Sequence, residues 1–519
     1  MLTDLRHLLR LFAIGRCFAR HDALFVLRDA PLPGILRGGL SLFRTVFGRR
    51  RPGLREGERL AAALADLGPS FIKLGQVLSV RPDLVGPLAE DLGRLRDRLP
   101  PFAWTAAKDT IEAELGQPLD ALFTGFDPEP VAAASVAQVH FAETPDGAPV
   151  AIKVLRPGVE AAFARDLELF AWLAELAERH VAATGRLRPR EVVASLRDWV
   201  ALELDLRLEA AAASELRDNF RDDPDVIVPA IDWQRTARRV MTVQRIGGIA
   251  IEDRDAIIAA GIDPGQVAER VIRVFLKQAL RDGYFHADMH HGNLFVAQDG
   301  RLELVDFGIM GRLDLKTRRF MAEMLGAFLT GNWRRAAEVH FEAGYVPADR
   351  SIDAFAQACR SIGEPILDRP VTDISIGRLL AQLFQITETF GMQTQTHLLL
   401  LQKTMVTVEG VARSLDPEIN FWAVARPVIE DWARDNLGPE AMMREAAGNL
   451  MDFARRLPKI ARGLEALADS VPDGALRLDI DSLAGLAEAQ AEAQARRQRP
   501  LLWALWAIAA LLAAFLLFD

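Results

Sequence analysis

The feature that most constrains this chain is an ordered set of three polar side chains, Asp288, Asn293 and Asp306. The first two lie five residues apart (293 − 288) in the loop HADMHHGN, and Asp306 follows 13 residues later (306 − 293) in the triplet DFG. In phosphoryl transfer one carboxylate orients the attacking oxygen, while an amide oxygen and a second carboxylate hold the metal ion. The spacing therefore predicts a kinase-like loop in which Asp288 is catalytic, and Asn293 and Asp306 bind Mg²⁺.

The same loop carries three histidines, His286, His290 and His291, which offer a competing interpretation as a metal site. A loop that ends in Gly-Asn and precedes a DFG hairpin is better explained by phosphoryl transfer. We therefore expect His286 to brace the loop through its backbone.

Lysine is scarce in this chain, which has 55 arginines (62 − 7) against seven lysines, at positions 73, 108, 153, 277, 316, 403 and 459. A retained lysine suggests a compact point charge for a phosphate, which a guanidinium does not supply. The strand-like stretch 150–154, VAIKV, is close to the pattern of the phosphate-binding lysine and assigns that role to Lys153. A helical segment supplies three possible carboxylate partners, Glu203, Asp205 and Glu209, although a solvated acidic face would look the same.

The turn ahead of this strand departs from an ordinary kinase. A Gly-rich loop is usual there, but this chain has Ala132-Ala133-Ala134-Ser135, eighteen residues (153 − 135) before Lys153. Alanine restricts the backbone where glycine does not, so we expect nucleotide to sit differently and peptide phosphorylation to be doubtful. The residues predicted to bind ATP here are Val131, Ala132, Ala133, Ala134, Ser135, Val136, Ala137 and Gln138.

Hydrophobic periodicity predicts an α+β chain with the order of a protein-kinase-like bilobal fold. Strands are expected at 121–126, 135–144, 149–155 and 238–246 and in a hairpin before Asp306, with helices at 103–115, 158–218 and 264–282. The predicted domains are an N-terminal helical extension at 1–100, a small lobe at 101–250, a helical lobe at 251–470, a spacer helix at 471–500 and a transmembrane helix at 501–518.

Residues 501–518 form an uninterrupted apolar run of 18 residues (518 − 501 + 1), near the lower limit for crossing a bilayer. The preceding basic stretch, 496–499, is expected to stay in the cytoplasm, although a buried core helix is the competing interpretation. The N-terminus has no signal-peptide pattern, so a cytoplasmic body held by a single C-terminal span in a bacterial inner membrane is expected. The net charge of −9 argues against nucleic acid as a partner.

Taken together, the alanine loop, the VAIK lysine, the Glu-x-Asp at 203–205 and the loop leading to DFG resemble the UbiB family, the aarF-domain-containing atypical kinases. Lys73-Leu74-Gly75-Gln76 resembles the family's KxGQ signature on an N-terminal helical extension. The resemblance implies that Lys73, Gly75 and Gln76 approach the active site and contact the region of Glu203 and Asp205. It also implies that Lys153 pairs with Glu209.

What the resemblance implies for function is a membrane-associated kinase or ATPase that uses ATP and Mg²⁺ and supports ubiquinone biosynthesis. Its expected partners are membrane lipids, quinone precursors and the enzymes that process them. Met289 and His291 stand where the family usually has proline, and Ala212 stands where asparagine is frequent. Two alternatives stay open, a small-molecule phosphotransferase of the aminoglycoside or choline kinase type, and a scaffold that binds nucleotide and lipid without catalysis.

Overall fold

The computed structural model describes residues 2–27, 44–48, 53–79, 88–92, 100–134, 136–180, 189–367, 386, 389–392 and 396–437. The α-helices are α1 (Leu2–Arg20), α2 (Glu56–Leu67), α3 (Pro69–Ser79), α4 (Leu88–Leu92), α5 (Trp104–Leu115), α6 (Leu119–Leu122), α7 (Val159–His180), α8 (Pro189–Glu203), α9 (Leu206–Asn219), α10 (Arg254–Ala259), α11 (Pro264–Leu276), α12 (Leu315–Leu329), α13 (Trp333–Glu342), α14 (Ile352–Leu367), α15 (Thr396–Leu415) and α16 (Phe421–Leu437). The strands are β1 (Ala132–Ala133), β2 (Ala137–Glu143), β3 (Pro149–Leu155), β4 (Val226–Ile227), β5 (Val240–Gln244), β6 (Ile249–Ala250), β7 (Tyr284–His286), β8 (Leu294–Val296), β9 (Leu302–Leu304) and β10 (Met310–Arg312). A π-helical segment, Lys277–Asp282, follows α11, and short 3₁₀ turns lie at Leu24–Leu27, Trp233–Arg235 and His291–Asn293.

The described residues fall into two compact units. The first contains the described residues up to Glu215 together with Pro229–Ile246, and the second contains Leu216–Val228 and the described residues between 247 and 437. Each unit has its own sheet and its own helices, and each is described by itself below.

The first unit is built on an antiparallel sheet in the order β1-β2-β3-β5. Successive side chains of a strand point to opposite faces, so Val150, Ile152 and Val154 of β3 share one face. They pack there against Ile111 of α5 and Phe123 in a buried cluster. The alternate residues of β3, Lys153 among them, therefore lie on the other face.

A second cluster of the first unit joins the helical extension to this sheet. Leu155 at the end of β3 belongs to it, as do Leu64 of α2, Phe71 of α3 and Phe163 of α7. The ring centroids of Phe71 and Phe170 are 5.7 Å apart in an edge-on contact. The apolar spacing of the N-terminal helices thus serves to pack them onto the body of the unit, as the amphipathic pattern predicts.

The second unit is organised around α11, whose side chains are buried along most of its length. Asp263 caps its N-terminus by accepting a hydrogen bond from the Gly265 amide at 2.9 Å, and Pro264 occupies the first turn, where its missing N–H costs nothing. A four-stranded sheet in the order β4-β9-β8-β6 contains the hairpin of β8 and β9. In that hairpin Leu294 lies opposite Leu304, which places the DFG triplet just beyond the end of β9.

Two short strands of the second unit determine where its loops meet. β7 and β10 pair antiparallel, with His286 opposite Met310 and Phe285 opposite Gly311. The loop that follows β7 and the loop that precedes β10 are therefore held side by side. A Cβ atom at Gly311 would lie 2.1 Å from Cζ of Phe285, so the pairing requires glycine there.

The structure has the mixed helix and sheet expected from the sequence, and β3 has the bounds expected for the VAIK strand. The strand expected at 121–126 is wrong: Leu119–Leu122 is a helical turn, and only Thr124 makes an isolated bridge, to Glu143. Pro118 at the N-cap and the burial of Leu119 and Leu122 explain the helical turn. The helix expected at 264–282 ends at Leu276 and continues as the π-helical segment.

Across the described residues, the structure contains no helix with the length and apolar character needed to cross a membrane. The segment 501–518 and the spacer at 471–500 lie outside the described residues. The domain boundaries expected from the sequence stay predictions.

Replacing Gly311 with alanine should destabilise the second unit by about 1–3 kcal/mol, because the new methyl group meets the Phe285 ring. Gly410 in α15 is a matched control, since a Cβ there meets no atom within 4 Å, and Gly410→Ala should stabilise the helix by about 0.5–1 kcal/mol. Urea denaturation followed by circular dichroism measures both. Equal stability of the two variants would contradict the packing described for Gly311.

Candidate active site

The loop after β7 and the loop before β10 are joined by backbone hydrogen bonds. The Ala287 amide donates to the Ile309 carbonyl at 2.9 Å, and the Val305 amide donates to the Asn293 carbonyl at 3.1 Å. These bonds bring the segment that contains Asp288 and Asn293 next to the DFG triplet at Asp306. The three residues that the sequence singled out are thus parts of one local structure in the second unit.

His286 braces the loop, as expected from the sequence, and it does so through side-chain hydrogen bonds to backbone groups of both segments. Its Nδ1 accepts a hydrogen bond from the Asp288 amide at 3.1 Å, and its Nε2 lies 3.0 Å from the Val305 carbonyl. Because an amide N–H donates to Nδ1, the ring proton sits on Nε2 and donates to Val305. The ring is fully buried, and this burial holds the pKa of His286 below its ordinary value, so the imidazole is neutral.

The backbone amide of His286 is satisfied by Gln278, whose Oε1 accepts from it at 2.7 Å. Gln278 lies in the π-helical segment and is completely buried. Short π-helical segments are frequent at functional sites because they redirect one side chain from the regular helix. Here the redirected side chain holds the end of β7, and nothing in the sequence pattern around Gln278 predicted it.

Asn293 and Asp306 supply oxygen atoms of the kind that Mg²⁺ prefers. Asn293 is buried, and its Nδ2 donates to the Asp288 carbonyl at 3.0 Å, which leaves Oδ1 as the side-chain atom able to bind a cation. Asp306 has a φ of 62°, a left-handed conformation that is rare outside glycine and asparagine or aspartate. Phe307 is buried with its ring centroid 5.7 Å from that of His286, so the DFG backbone is anchored while the Asp306 side chain remains exposed. The donor set therefore fits a magnesium-bound nucleotide.

The Asp288 carboxylate is bordered by two nitrogen groups. Nε2 of His290 lies 3.5 Å from Oδ2, and Nζ of Lys403 lies 3.4 Å from Oδ1. Lys403 belongs to α15, and the neighbouring Thr404 donates to the Ala287 carbonyl at 3.1 Å. The sequence analysis counted Lys403 among the scarce lysines but gave it no role, because 115 residues (403 − 288) separate it from Asp288.

The three histidines of the loop do not converge on one point for a metal ion. Both ring nitrogens of His286 are used within the protein, and Nδ1 of His290 accepts from the Gly292 amide at 3.0 Å. Nε2 of His291 contacts the Ser414 hydroxyl at 2.9 Å. The hydrogen bonds thus assign the three rings to the support of the loop.

In the first unit, Lys153 and Glu209 form the pair that the resemblance implied. Nζ of Lys153 donates to both carboxylate oxygens of Glu209, at 2.7 and 2.9 Å, and both side chains are largely buried. β3 presents Lys153 away from the face that carries Ile152, and α9 supplies Glu209 within its first turn. A charge-assisted pair of this kind fixes the ammonium group in place.

The described part of the alanine loop, Ala132–Ala134, is held by Arg156 and β2. Ala132 and Ala133 form β1 and pair with β2, and the Ala134 amide donates to the Ala137 carbonyl at 2.7 Å. Arg156 donates from Nη2 to the Ala134 carbonyl at 3.2 Å and from its backbone to the Val136 carbonyl at 2.7 Å. Val131 is exposed, whereas Ser135 lies outside the described residues.

Gln138, also predicted to contact ATP, is buried, and both ends of its amide group are used inside the unit. Its Oε1 accepts from the Phe102 amide at 3.0 Å, and its Nε2 donates to Nε2 of His140 at 2.8 Å. Nδ1 of His140 in turn lies 2.9 Å from the Asp127 carbonyl. The structure therefore shows Gln138 supporting β2 from within the unit.

Lys73 of the KxGQ signature lies in α3 and forms an ion pair with Glu203, the last residue of α8. The side chains are only 10% and 17% exposed, respectively. Gly75 is buried in the same helix, while the side chain of Gln76 lies outside the described residues. The contact between the signature and the Glu-x-Asp segment, which the resemblance implied, is present at Glu203.

Asp205 makes a different contact, with Arg207. Its Oδ1 accepts from the Arg207 amide at 3.1 Å and from Nε at 2.8 Å, and its Oδ2 accepts from Nη2 at 2.6 Å. The hydrogen bond from Arg207 keeps the pKa of Asp205 below its ordinary value. The bond from the Arg207 amide to Oδ1 forms the local turn with which an aspartate often precedes a helix. Asp205 therefore also has a structural role at the start of α9.

Comparisons with known proteins point in one direction. Residues 94–340 match the ABC1 atypical kinase-like domain, and residues 359–420 match the UbiB helical domain. A curated relative from Marinobacter nauticus, named Probable protein kinase UbiB, is 41% identical over 461 residues, which cover 87% of this chain and 83% of the relative. Relatives of the same name from Aeromonas hydrophila and Azotobacter vinelandii are 42% and 40% identical over 445 and 468 residues, covering 85% and 89% of this chain and 81% and 86% of the relatives.

Among solved structures, the complex of Rv3197 with erythromycin from Mycobacterium tuberculosis aligns with a TM-score of 0.50. The aligned part covers 76% of this chain and 98% of that one, at 23% sequence identity. At this identity the likeness concerns the fold alone.

Stability should fall in acid because His286 is neutral in the folded chain. The pKa of His286 in the folded chain lies below the unfolded value near 6.5. Its contribution to stability is therefore complete above pH 6.5 and is lost as the pH falls from there toward the folded pKa. His286→Gln should reduce the slope of unfolding free energy against pH, below pH 6.5, by up to about 1.4 kcal/mol per pH unit. Denaturation curves between pH 7.5 and 5.5 measure the two slopes. Equal slopes would mean that the folded chain tolerates a charged His286.

Removing the cation from the buried pair in the first unit should be costly. We expect Lys73→Met to lower the free energy of unfolding by about 3 kcal/mol, because the Glu203 carboxylate loses this partner. Lys73→Met combined with Glu203→Gln should lose less than the single variant. Chemical denaturation of the four proteins in this cycle gives the coupling energy, and additive effects would show that the contact contributes nothing.

Proposed function

This chain belongs to the UbiB family of atypical kinases, and from that premise we propose that it binds Mg²⁺-ATP and uses it in support of ubiquinone biosynthesis. The proposed reaction is transfer of the terminal phosphoryl group, either to an acceptor hydroxyl or to water. The observation that carries the proposal is the pair of joined loops in the second unit, which hold Asp288, Asn293 and Asp306 in one structure.

The residues of the second unit have separate roles in this proposal. Asp288 orients the attacking oxygen and receives its proton, while Asn293 and Asp306 hold the cation with their side-chain oxygens. When bound, magnesium neutralises charge on the phosphates and orients them. Buried Leu304 and Phe307 on either side fix the backbone of Asp306 in its left-handed conformation, which sets the point from which its carboxylate extends.

In the first unit the proposed phosphate ligand is Lys153. Its ammonium group is held by Glu209, so the lysine charge is placed before any nucleotide arrives. Ala132–Ala134 stands where a Gly-rich loop is usual, and the Ala134 carbonyl accepts a hydrogen bond from Arg156. This difference supports the proposal that ATP use here differs from ordinary peptide phosphorylation.

The lipid part of the proposal concerns quinone precursors and the bacterial inner membrane. It rests on family membership together with the 18-residue apolar run at 501–518 and the basic residues before it. On this proposal the chain is a single-pass protein whose main body is cytoplasmic. Its partners are then phenolic quinone intermediates, the lipids around them and the enzymes that process them.

The test is ATP hydrolysis by the full-length chain with Mg²⁺, with and without liposomes and a phenolic quinone precursor. We expect Asp288→Asn and Lys153→Met each to lower turnover by about 100-fold or more, because Asp288 is the proposed base and Lys153 is the proposed phosphate ligand. Asp299→Asn and Lys108→Met are matched controls, since Asp299 lies in the exposed turn between β8 and β9 and Lys108 makes a surface pair with Glu112.

The outcomes separate the proposal from its alternatives. Turnover that rises with liposomes and precursor and disappears in Asp288→Asn supports a lipid-coupled ATPase. Formation of a phosphorylated soluble metabolite would favour a small-molecule phosphotransferase. Nucleotide binding without any turnover would favour the scaffold.

A further inference from the structure

Helix α15 contacts the loop at 287–293, here called the catalytic loop, at three points. Thr404 donates to the Ala287 carbonyl at 3.1 Å, Lys403 approaches Asp288, and His291 meets Ser414. The Ser414 hydroxyl already donates to the Val411 carbonyl at 2.7 Å, so the His291 ring donates to Ser414. One helix thus supports the loop near both of its ends.

The position of α15 is itself firmly determined. α15 packs on α11, and its inner face is buried at Leu401, Val408, Val411, Ala412 and Leu415. Thr404 is 1% exposed, and its single hydroxyl proton is shared between the Ala287 carbonyl at 3.1 Å and the Leu400 carbonyl at 2.8 Å. Since Lys403 is next to this buried residue, the start of its side chain is fixed relative to the loop, and only the ammonium end is able to adjust.

The charges around Asp288 single out Lys403. The Gly292 amide donates to Nδ1 of His290, so a neutral His290 carries its proton on Nε2, the nitrogen that lies 3.5 Å from Asp288 Oδ2. Neutral His290 offers a dipole, whereas Lys403 offers a full positive charge 3.4 Å from Oδ1. The Lys403 side chain is 38% exposed, so it reaches the carboxylate from the solvent side without being sealed in the core.

We propose that Lys403 is a positioning residue for Asp288. It holds one carboxylate oxygen and offsets the negative charge that Asp288 presents to an anionic substrate. This inference rests on the proposed function, because it assumes that Asp288 acts on a phosphoryl group. Residues 359–420 match the UbiB helical domain, and Lys403 of α15 lies within them. On this proposal the helical domain therefore takes part in the reaction.

The experiment measures kcat and KM for Mg²⁺-ATP with the full-length chain and its Lys403→Met variant. We expect kcat to fall by about 10- to 100-fold and KM to rise by about tenfold, because the variant misplaces the carboxylate and also leaves its charge to repel the nucleotide. Lys403→Arg keeps the charge and should recover most of the loss. Lys316→Met is the matched control, since Lys316 is an exposed lysine of α12 over the Phe320 ring.

A binding cycle gives a second readout that does not need turnover. Lys403→Met should weaken binding of AMP-PNP by about tenfold relative to ADP, because the Asp288 charge is no longer offset. Adding Asp288→Asn should restore most of that affinity. A merely structural role for Lys403 would weaken both nucleotides equally, would show no restoration and would lower the melting temperature instead.

The outcomes distinguish this inference from the proposed function. If wild type hydrolyses ATP and Lys403→Met matches it in kcat and in nucleotide preference, the inference alone is overturned. If wild type binds nucleotide without turnover, the ATPase proposal fails and the AMP-PNP cycle decides the role of Lys403. If wild type binds no nucleotide, both are overturned.

Discussion

The second unit depends on one buried, neutral imidazole. His286 accepts from the amide of Asp288 and donates to the carbonyl of Val305, so a single ring fixes the residue before the DFG aspartate and the catalytic candidate itself. A neutral buried ring satisfies both backbone groups without burying a charge. Leaving either backbone group unpaired would cost about 1–3 kcal/mol. Gln278 then completes the arrangement from the π-helical segment.

The first unit depends instead on ion pairs between largely buried side chains. Lys73 pairs with Glu203, and Lys153 pairs with Glu209. Glu203 ends α8 and Glu209 lies in the first turn of α9, so both carboxylates lie near the short connection between these two helices. A buried ion pair is weak evidence for stability, since its desolvation offsets much of its attraction. Pairs of this kind are better explained as a means of holding an ammonium group in one place. In a chain with 55 arginines (62 − 7), the use of lysine at both positions fits a need for a compact charge.

How far the sequence predicts this structure depends on how local each feature is. The strand 149–155, the loop to DFG and the bracing role of His286 follow from patterns within about 20 residues, and the structure agrees with them. The segment 121–126 misled because its apolar run suits a strand, while Pro118 and the burial of Leu119 and Leu122 favour a helical turn. The role of Gln278 was missed because the helical spacing of apolar residues continues past Leu276 and does not distinguish a π-helical segment from an α-helix.

Lys403 shows a different limit, because its function would depend on where a distant helix packs. No spacing rule connects residues 288 and 403, and only the packing of α15 against α11 brings them together. A kinase-like loop with a lysine of its own beside the catalytic aspartate would not need such a helix. Here the residue two places after Asp288 is His290. When Nδ1 of His290 accepts from the Gly292 amide, the ring is neutral and offers the Asp288 carboxylate no positive charge. If that charge has to come from α15, the catalytic loop and the helical domain are functionally inseparable, which gives a physical reason for the two domain matches to occur together in one chain.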